Sequence, residues 1–186
     1  MSERVCPWWL GYLLASPIRK FWYDPRRVLA PLVREGQRAL EPGPGMGFFT
    51  LELARLVGPN GRVVAIDLQP KMIERLKRRV TKADLADRVD ARVVSADSLG
   101  IGDLNASIDF ILAFAVVHEV PDAAKFFREV AASAKQGATM LVAEPRGHVK
   151  DAMFEGELKL AAEAGFRVID RPAIPHSLTA YLKKAS

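Results

Sequence analysis

The sequence predicts an α/β protein whose seven-stranded, mostly parallel sheet carries helices on both faces and ends in an antiparallel last strand. Three observations lead there. The strand candidates are continuous apolar runs, such as Val63-Val64-Ala65-Ile66 and Phe110-Ile111-Leu112-Ala113, as a parallel sheet covered on both faces requires. They alternate with segments of helical period, as βαβ units do. The last two strands are joined only by residues 171–176, about half the dozen a parallel crossover needs, so the final strand must return antiparallel.

The elements follow in order. Asp24 caps a helix whose first residue is Pro25, with Val28, Leu29, Leu32 and Val33 on one face, Pro31 as a kink and Gly36 as the stop. The first strand is 38–41, the next helix 47–56, and Gly58-Pro59-Asn60-Gly61 a turn. The second strand is 62–67. Its helix, 70–83, shows a stripe of Met72, Ile73, Leu76 and Val80. The third and fourth strands are 89–95 and 108–115. Asp122 caps a helix that turns Phe126, Phe127 and Val130 inward and ends at Gly137. The fifth strand, 139–144, leads to a helix at 151–164 stopped by Gly165, then to strands at 166–170 and 177–183.

Residues 37–67 carry the most chemistry. They join a strand, a glycine turn, a helix and a second strand ending in a carboxylate, a unit suited to a nucleoside. Gly43, Gly45 and Gly47 keep side chains out of the turn, so a ligand can lie against backbone and the positive end of the following helix. Asp67 follows Gly47 by 20 positions, where a carboxylate accepts both hydroxyl protons of a ribose. A dinucleotide fingerprint is not met, because Phe48 stands where its third glycine belongs, and no Gly-Lys-Ser/Thr completes a Walker loop.

Composition sets bounds. The 186 residues, 49% hydrophobic, suit one domain, read as 1–186 with an N-terminal helical lid at 1–36 and a core at 37–186. Cys6 is the only cysteine, and His118, His148 and His176 have no zinc spacing, so no metal is expected. The longest apolar runs, Trp8–Ala15 and Phe110–Val117, fall well short of the roughly 20 residues of a membrane helix. A cytoplasmic protein is therefore expected. The net charge of +5 permits a nucleic-acid partner, but its densest basic stretch, Lys71 to Lys82, reads first as a solvated helix face.

Four ordered motifs resemble the class I S-adenosylmethionine-dependent methyltransferases: Leu40-Glu-Pro-Gly-Pro-Gly-Met-Gly47, Ala65-Ile-Asp67, Ser95-Ala-Asp97 and Phe114-Ala-Val-Val-His118-Glu-Val-Pro-Asp122. The pattern is most similar to the compact ubiquinone and menaquinone biosynthesis type, in which a histidine commonly occupies the position of His118. The resemblance implies a Rossmann-like sheet and S-adenosylmethionine as cofactor. It also implies roles. Gly43, Gly45 and Gly47 would underlie the methionyl and ribose portion, Glu41 the methionyl amino group, Asp67 the ribose hydroxyls and Leu68 one adenine face. Asp97 would take the adenine amine, the Ser98 N–H a ring nitrogen, and the Ala113 carbonyl the amino group.

Methyl transfer from a sulfonium needs positioning more than a strong base, and His118 is the candidate for a base or orienting group. Absences narrow the acceptor toward a small molecule. The Asn/Asp-Pro-Pro-aromatic motif of the resembling amine-directed nucleic-acid enzymes does not follow the fourth strand, and neither covalent base methylation nor arsenite methylation suits a chain with one cysteine. An RNA- or protein-directed enzyme and a non-catalytic cofactor-binding module stay open. So does the use of Trp8, Trp9, Tyr12 and Trp22, which wall an acceptor, bury a homodimer contact or simply cover the sheet.

Overall fold

A computed structural model describes residues 24–185, and the aromatic segment at 1–23 with Cys6 lies outside the described residues. The chain divides into two compact units, Met1–Val94 and Ser95–Ser186.

In the first unit, helix α1 (Pro25–Leu29) is capped as expected: the Asp24 carboxylate accepts from the N–H groups of Arg26 at 3.0 Å and Arg27 at 3.4 Å. It ends at Leu29; Ala30 still has helical backbone, but Pro31 has no N–H to continue the ladder, so the helix stops there and no kink arises within it. Strand β1 (Arg38–Pro42), helix α2 (Thr50–Leu56), strand β2 (Arg62–Asp67), helix α3 (Pro70–Lys82) and strand β3 (Val89–Val93) follow. The strands are parallel in the order β3-β2-β1, with Glu41 opposite Ala65 and Asp67 opposite Val93. Val63, Val64 and Ala65 are wholly buried, and α3 buries the expected stripe of Met72, Ile73, Leu76 and Val80.

In the second unit, strand β4 (Ile108–Phe114), helix α4 (Ala123–Ser133), strand β5 (Ala134–Pro145), helix α5 (Asp151–Glu163), strand β6 (Phe166–Asp170) and strand β7 (Ser177–Lys184) follow. Strands β4 and β5 are parallel, while β7 lies between β5 and β6 and runs antiparallel to both, giving the order β4-β5-β7-β6. The short link to the last strand thus produces the expected reversal. The seven strands bear out the mostly parallel α/β class.

Several boundaries move. Helix α2 starts at Thr50, three residues after the expected Gly47, because the glycine turn runs on through Phe49. Strand β3 ends at Val93, and Ser95 makes only an isolated bridge with Ser98. Helix α4 stops at Ser133, not Gly137, since its last carbonyls find partners elsewhere: Lys184 Nζ donates to Ala131 O and Ala134 O, and Ser107 N to Ser133 O. Strand β5 therefore begins at Ala134, and Gly137, at φ +77°, falls where the β4–β5 register shifts.

Candidate functional site

In the first unit, the ends of β1 and β2 and the turn between β1 and α2 gather five of the expected site residues. The turn is left-handed at Gly43, Gly45 and Gly47, with φ of 67°, 54° and 82°, and is tied down by Gly43 N donating to Ile66 O and Gly47 N to Pro44 O, both at 2.9 Å. The glycines differ in purpose. A Cβ on Gly45 would meet nothing within 4 Å, whereas one on Gly47 would stand 2.4 Å from Leu76 Cδ1. Gly45 leaves open space over the turn, and Gly47 makes room for the core.

Arg79 of α3 reaches back to this turn and donates to the Met46 carbonyl at 2.6 Å. Burial lowers the pKa of its guanidinium.

Glu41 is 3% exposed at the end of β1, and its Oε2 has no hydrogen-bond partner. Burial is the main force that raises its pKa to about 7, Thr50 lowering it and the nearby Asp67 charge raising it. The Thr50 hydroxyl lies close enough to Glu41 to oppose that rise, although among the described residues Thr50 Oγ1 completes no hydrogen bond of ordinary geometry. Asp67 accepts from Gln69 N at 2.8 Å. Burial raises its pKa, and backbone N–H groups of Gln69, Gly45 and Leu68 oppose the rise. Beside it, Leu68 is exposed.

In the second unit, Asp97 and Ser98 are exposed, and the Asp97 carbonyl accepts from Lys125 Nζ. Ser98 N donates to Ser95 O at 3.4 Å, and Glu129 Oε2 gathers Ser98 Oγ at 3.3 Å and Leu99 N at 2.7 Å. Ala113 is buried in β4 opposite Val142.

Past β4 the backbone is left-handed at Ala115, φ 56°, whose N–H donates to Ala143 O at 2.7 Å. Glu144, wholly buried in β5, accepts on Oε1 from Val117 N at 2.8 Å and Val116 N at 3.3 Å, and its Oε2 meets His118 Nδ1. Burial pulls the His118 pKa down, but the bond and charge of Glu144, with Glu119 and Glu157, outweigh it and raise the net value. The His148 ring stacks on His118 with centroids 6.2 Å apart.

Residues 34–179 match the family model for a methyltransferase domain. The chain belongs to this family. The chain is 35% identical over 143 residues to a ubiquinone biosynthesis O-methyltransferase of Methylocella silvestris, covering 76% of this chain and 53% of the relative. It is 28% identical to an arsenite methyltransferase of Halobacterium salinarum over 59% of this chain and 27% of that one. The chain thus spans about half or less of these curated relatives. A solved S-adenosylmethionine-dependent methyltransferase from Aquifex aeolicus superposes with a TM-score of 0.85 at 25% identity, over 97% of this chain and 100% of that one.

S-adenosylmethionine is the cofactor of this class I family, and the first unit of the chain fits it on two observations. An unpartnered buried carboxylate oxygen on Glu41 suits an ammonium or a bridging water, and the space over Gly45 is free of side chains. No group of three or more His, Cys, Asp or Glu able to hold a metal occurs among the described residues.

The sequence pattern did not single out two residues of the chain. Glu157 occupies the buried stripe of α5 with Phe154, Leu158 and Ala161, and Arg79 adjoins the stripe of α3. A charge inside an apolar helical stripe was the signal available for both.

Proposed function

We propose that this chain transfers a methyl group from S-adenosylmethionine to a small-molecule acceptor. The observation that carries this reading is the glycine turn holding an unpartnered, buried Glu41 beside Asp67, in a chain of the methyltransferase family. When bound, the cofactor supplies a methyl group on a positively charged sulfur that leaves with the bonding pair. The chain's own part is to bind and orient.

Gly43, Gly45 and Gly47 present turn backbone to the cofactor's methionyl and ribose portion. Glu41 receives its ammonium, Asp67 the ribose hydroxyls, and Leu68, already exposed, one adenine face. Asp97, the Ser98 N–H and the Ala113 carbonyl take the remaining polar atoms. His118 is the base or orienting group for the acceptor. Residues 1–186 act as one methyltransferase domain, with 1–36 as its lid, working in the cytoplasm; no helix among the described residues is long and apolar enough to cross a membrane.

A single cysteine argues against the arsenite chemistry named for one relative. An RNA acceptor draws support from the exposed Lys71, Arg75, Lys77, Arg78 and Lys82 on α3, and salt-dependent binding of mixed RNA would favour it.

Calorimetry with S-adenosylmethionine and its demethylated product tests the cofactor reading. Binding of NAD in place of both overturns it. Asp67→Ala weakens the affinity by about 1–3 kcal/mol, the worth of hydrogen bonds to a charged group; an unchanged constant removes Asp67 from the site.

A further inference from the structure

The second unit buries two carboxyl groups whose charges act on one imidazole. Glu144 is wholly buried and Glu157 is 5% exposed, yet their situations are opposite. Glu144 has a full set of partners: two successive backbone N–H groups on Oε1 and the His118 ring on Oε2. Glu157 has no hydrogen-bond partner on either oxygen. A buried carboxyl group with nothing to bond is costly, and nothing in the packing of α5 explains its presence where an apolar residue would serve.

The backbone around Glu144 is built to hold the ring. The left-handed turn at Ala115 aims the N–H groups of Val116 and Val117 at one carboxylate oxygen, so the short helical turn Val117–Glu119 is fixed from β5. Glu144 Oε2 then faces Nδ1 of His118, which places the neutral ring's proton on Nδ1 and leaves a lone pair on Nε2.

We propose that His118, Glu144 and Glu157 form a proton-handling cluster: Glu144 positions the ring for Nε2 to accept the acceptor's proton, and Glu157 is a second, unpartnered buried carboxyl group whose charge favours the protonated ring. In the step itself, the acceptor's X–H bond breaks and its electron pair stays on X for the new bond to carbon. The proton joins Nε2, and water later removes it. The imidazolium so formed meets the Glu144 carboxylate, which offsets the cost of a buried positive charge.

The charged and titratable groups facing His118 come from every neighbouring element: Glu119 on its own turn, with Oε1 4.0 Å from Nε2, Glu144 on β5, His148 on the following turn and Glu157 on α5. Burial and the Glu144 charge push Glu157 up to about 7 and the His118 charge opposes them, so the charge on each group bears on the other.

This inference rests on the methyl-transfer reading for its purpose, but its test needs no acceptor. The full chain, labelled with 15N, is titrated by imidazole NMR, with His118→Asn, His148→Asn and His176→Asn spectra assigning the rings. His118 is expected to keep its proton on Nδ1 when neutral. Glu157→Gln moves the His118 titration to lower pH, and near neutrality carbethoxylation of His118 by diethyl pyrocarbonate runs faster than in wild type, since more of the ring is neutral. Identical curves in wild type and Glu157→Gln overturn the cluster.

Glu144→Gln shifts the neutral ring toward the other tautomer; should that variant fail to fold, Glu157→Gln decides alone. Calorimetry with S-adenosylhomocysteine on the same samples separates the two readings. A His118 titration that moves in Glu157→Gln, without cofactor binding, keeps the cluster and removes the methyl-transfer reading, and the converse result removes the cluster alone.

Discussion

Glu41 and Glu144 are both carboxylates buried at the end of a strand, yet one is left with an unpartnered oxygen and the other is surrounded by donors. The difference separates two kinds of site. Glu144 is completed by its own unit, so its work is internal: it fixes a turn and a ring. Glu41 is completed only from outside, and burial holds its pKa at about 7 until a positive group arrives. A satisfied buried charge organises the protein, and an unsatisfied one waits for a ligand.

The strongest way to sharpen this contrast is pH. In the fold Glu41 holds its proton up to about pH 7, against 4.5 ordinarily, so its contribution to stability is full below pH 4.5 and is lost as the pH rises to about 7. Glu41→Gln removes that loss, and urea unfolding at pH 5 and pH 8 should show the variant gaining up to about 3 kcal/mol on wild type between them. Binding of the cofactor's ammonium should release the Glu41 proton, so wild-type affinity rises toward pH 7 while that of Glu41→Gln stays flat. A parallel pH course in both proteins would break the comparison.

Next come the two glycines. Gly47→Ala drives a Cβ toward Leu76, which has no exposed surface, at a backbone angle of +82°. The thermal midpoint should fall by the equivalent of about 2 kcal/mol. Gly45→Ala costs the fold about 1 kcal/mol, because only its φ of +54° is strained, but it fills the open space and should weaken cofactor binding more than Gly47→Ala does. The smallest effect belongs to Arg79→Met, which frees the Met46 carbonyl and should lower affinity by about 1 kcal/mol with little change in the far-ultraviolet spectrum.

Much of the fold was legible because parallel strands announce themselves as apolar runs, and the reversal of β7 followed from the length of one link. The end of α4 was not. Gly137 looked like a helix stop, but the deciding partners, Lys184 and Ser107, are far away in sequence. The first unit's site was legible for a related reason: its glycines, Glu41 and Asp67 fall within one short stretch. The Glu144 network was not, since its partners lie 26 to 28 positions apart, and neither residue identity nor spacing links Glu144 to His118 or Glu157.

Placing β7 between β5 and β6 leaves β6, among the described residues, hydrogen-bonded on one side only, with Val168 and Ile169 41% and 44% exposed. Such a border invites a foreign chain to add itself. The irregular step between Val168 and Asp170, flanked by the charges of Arg167 and Asp170, spoils the straight ladder that a newcomer would need, so the rim that ends the second unit also guards it against self-association.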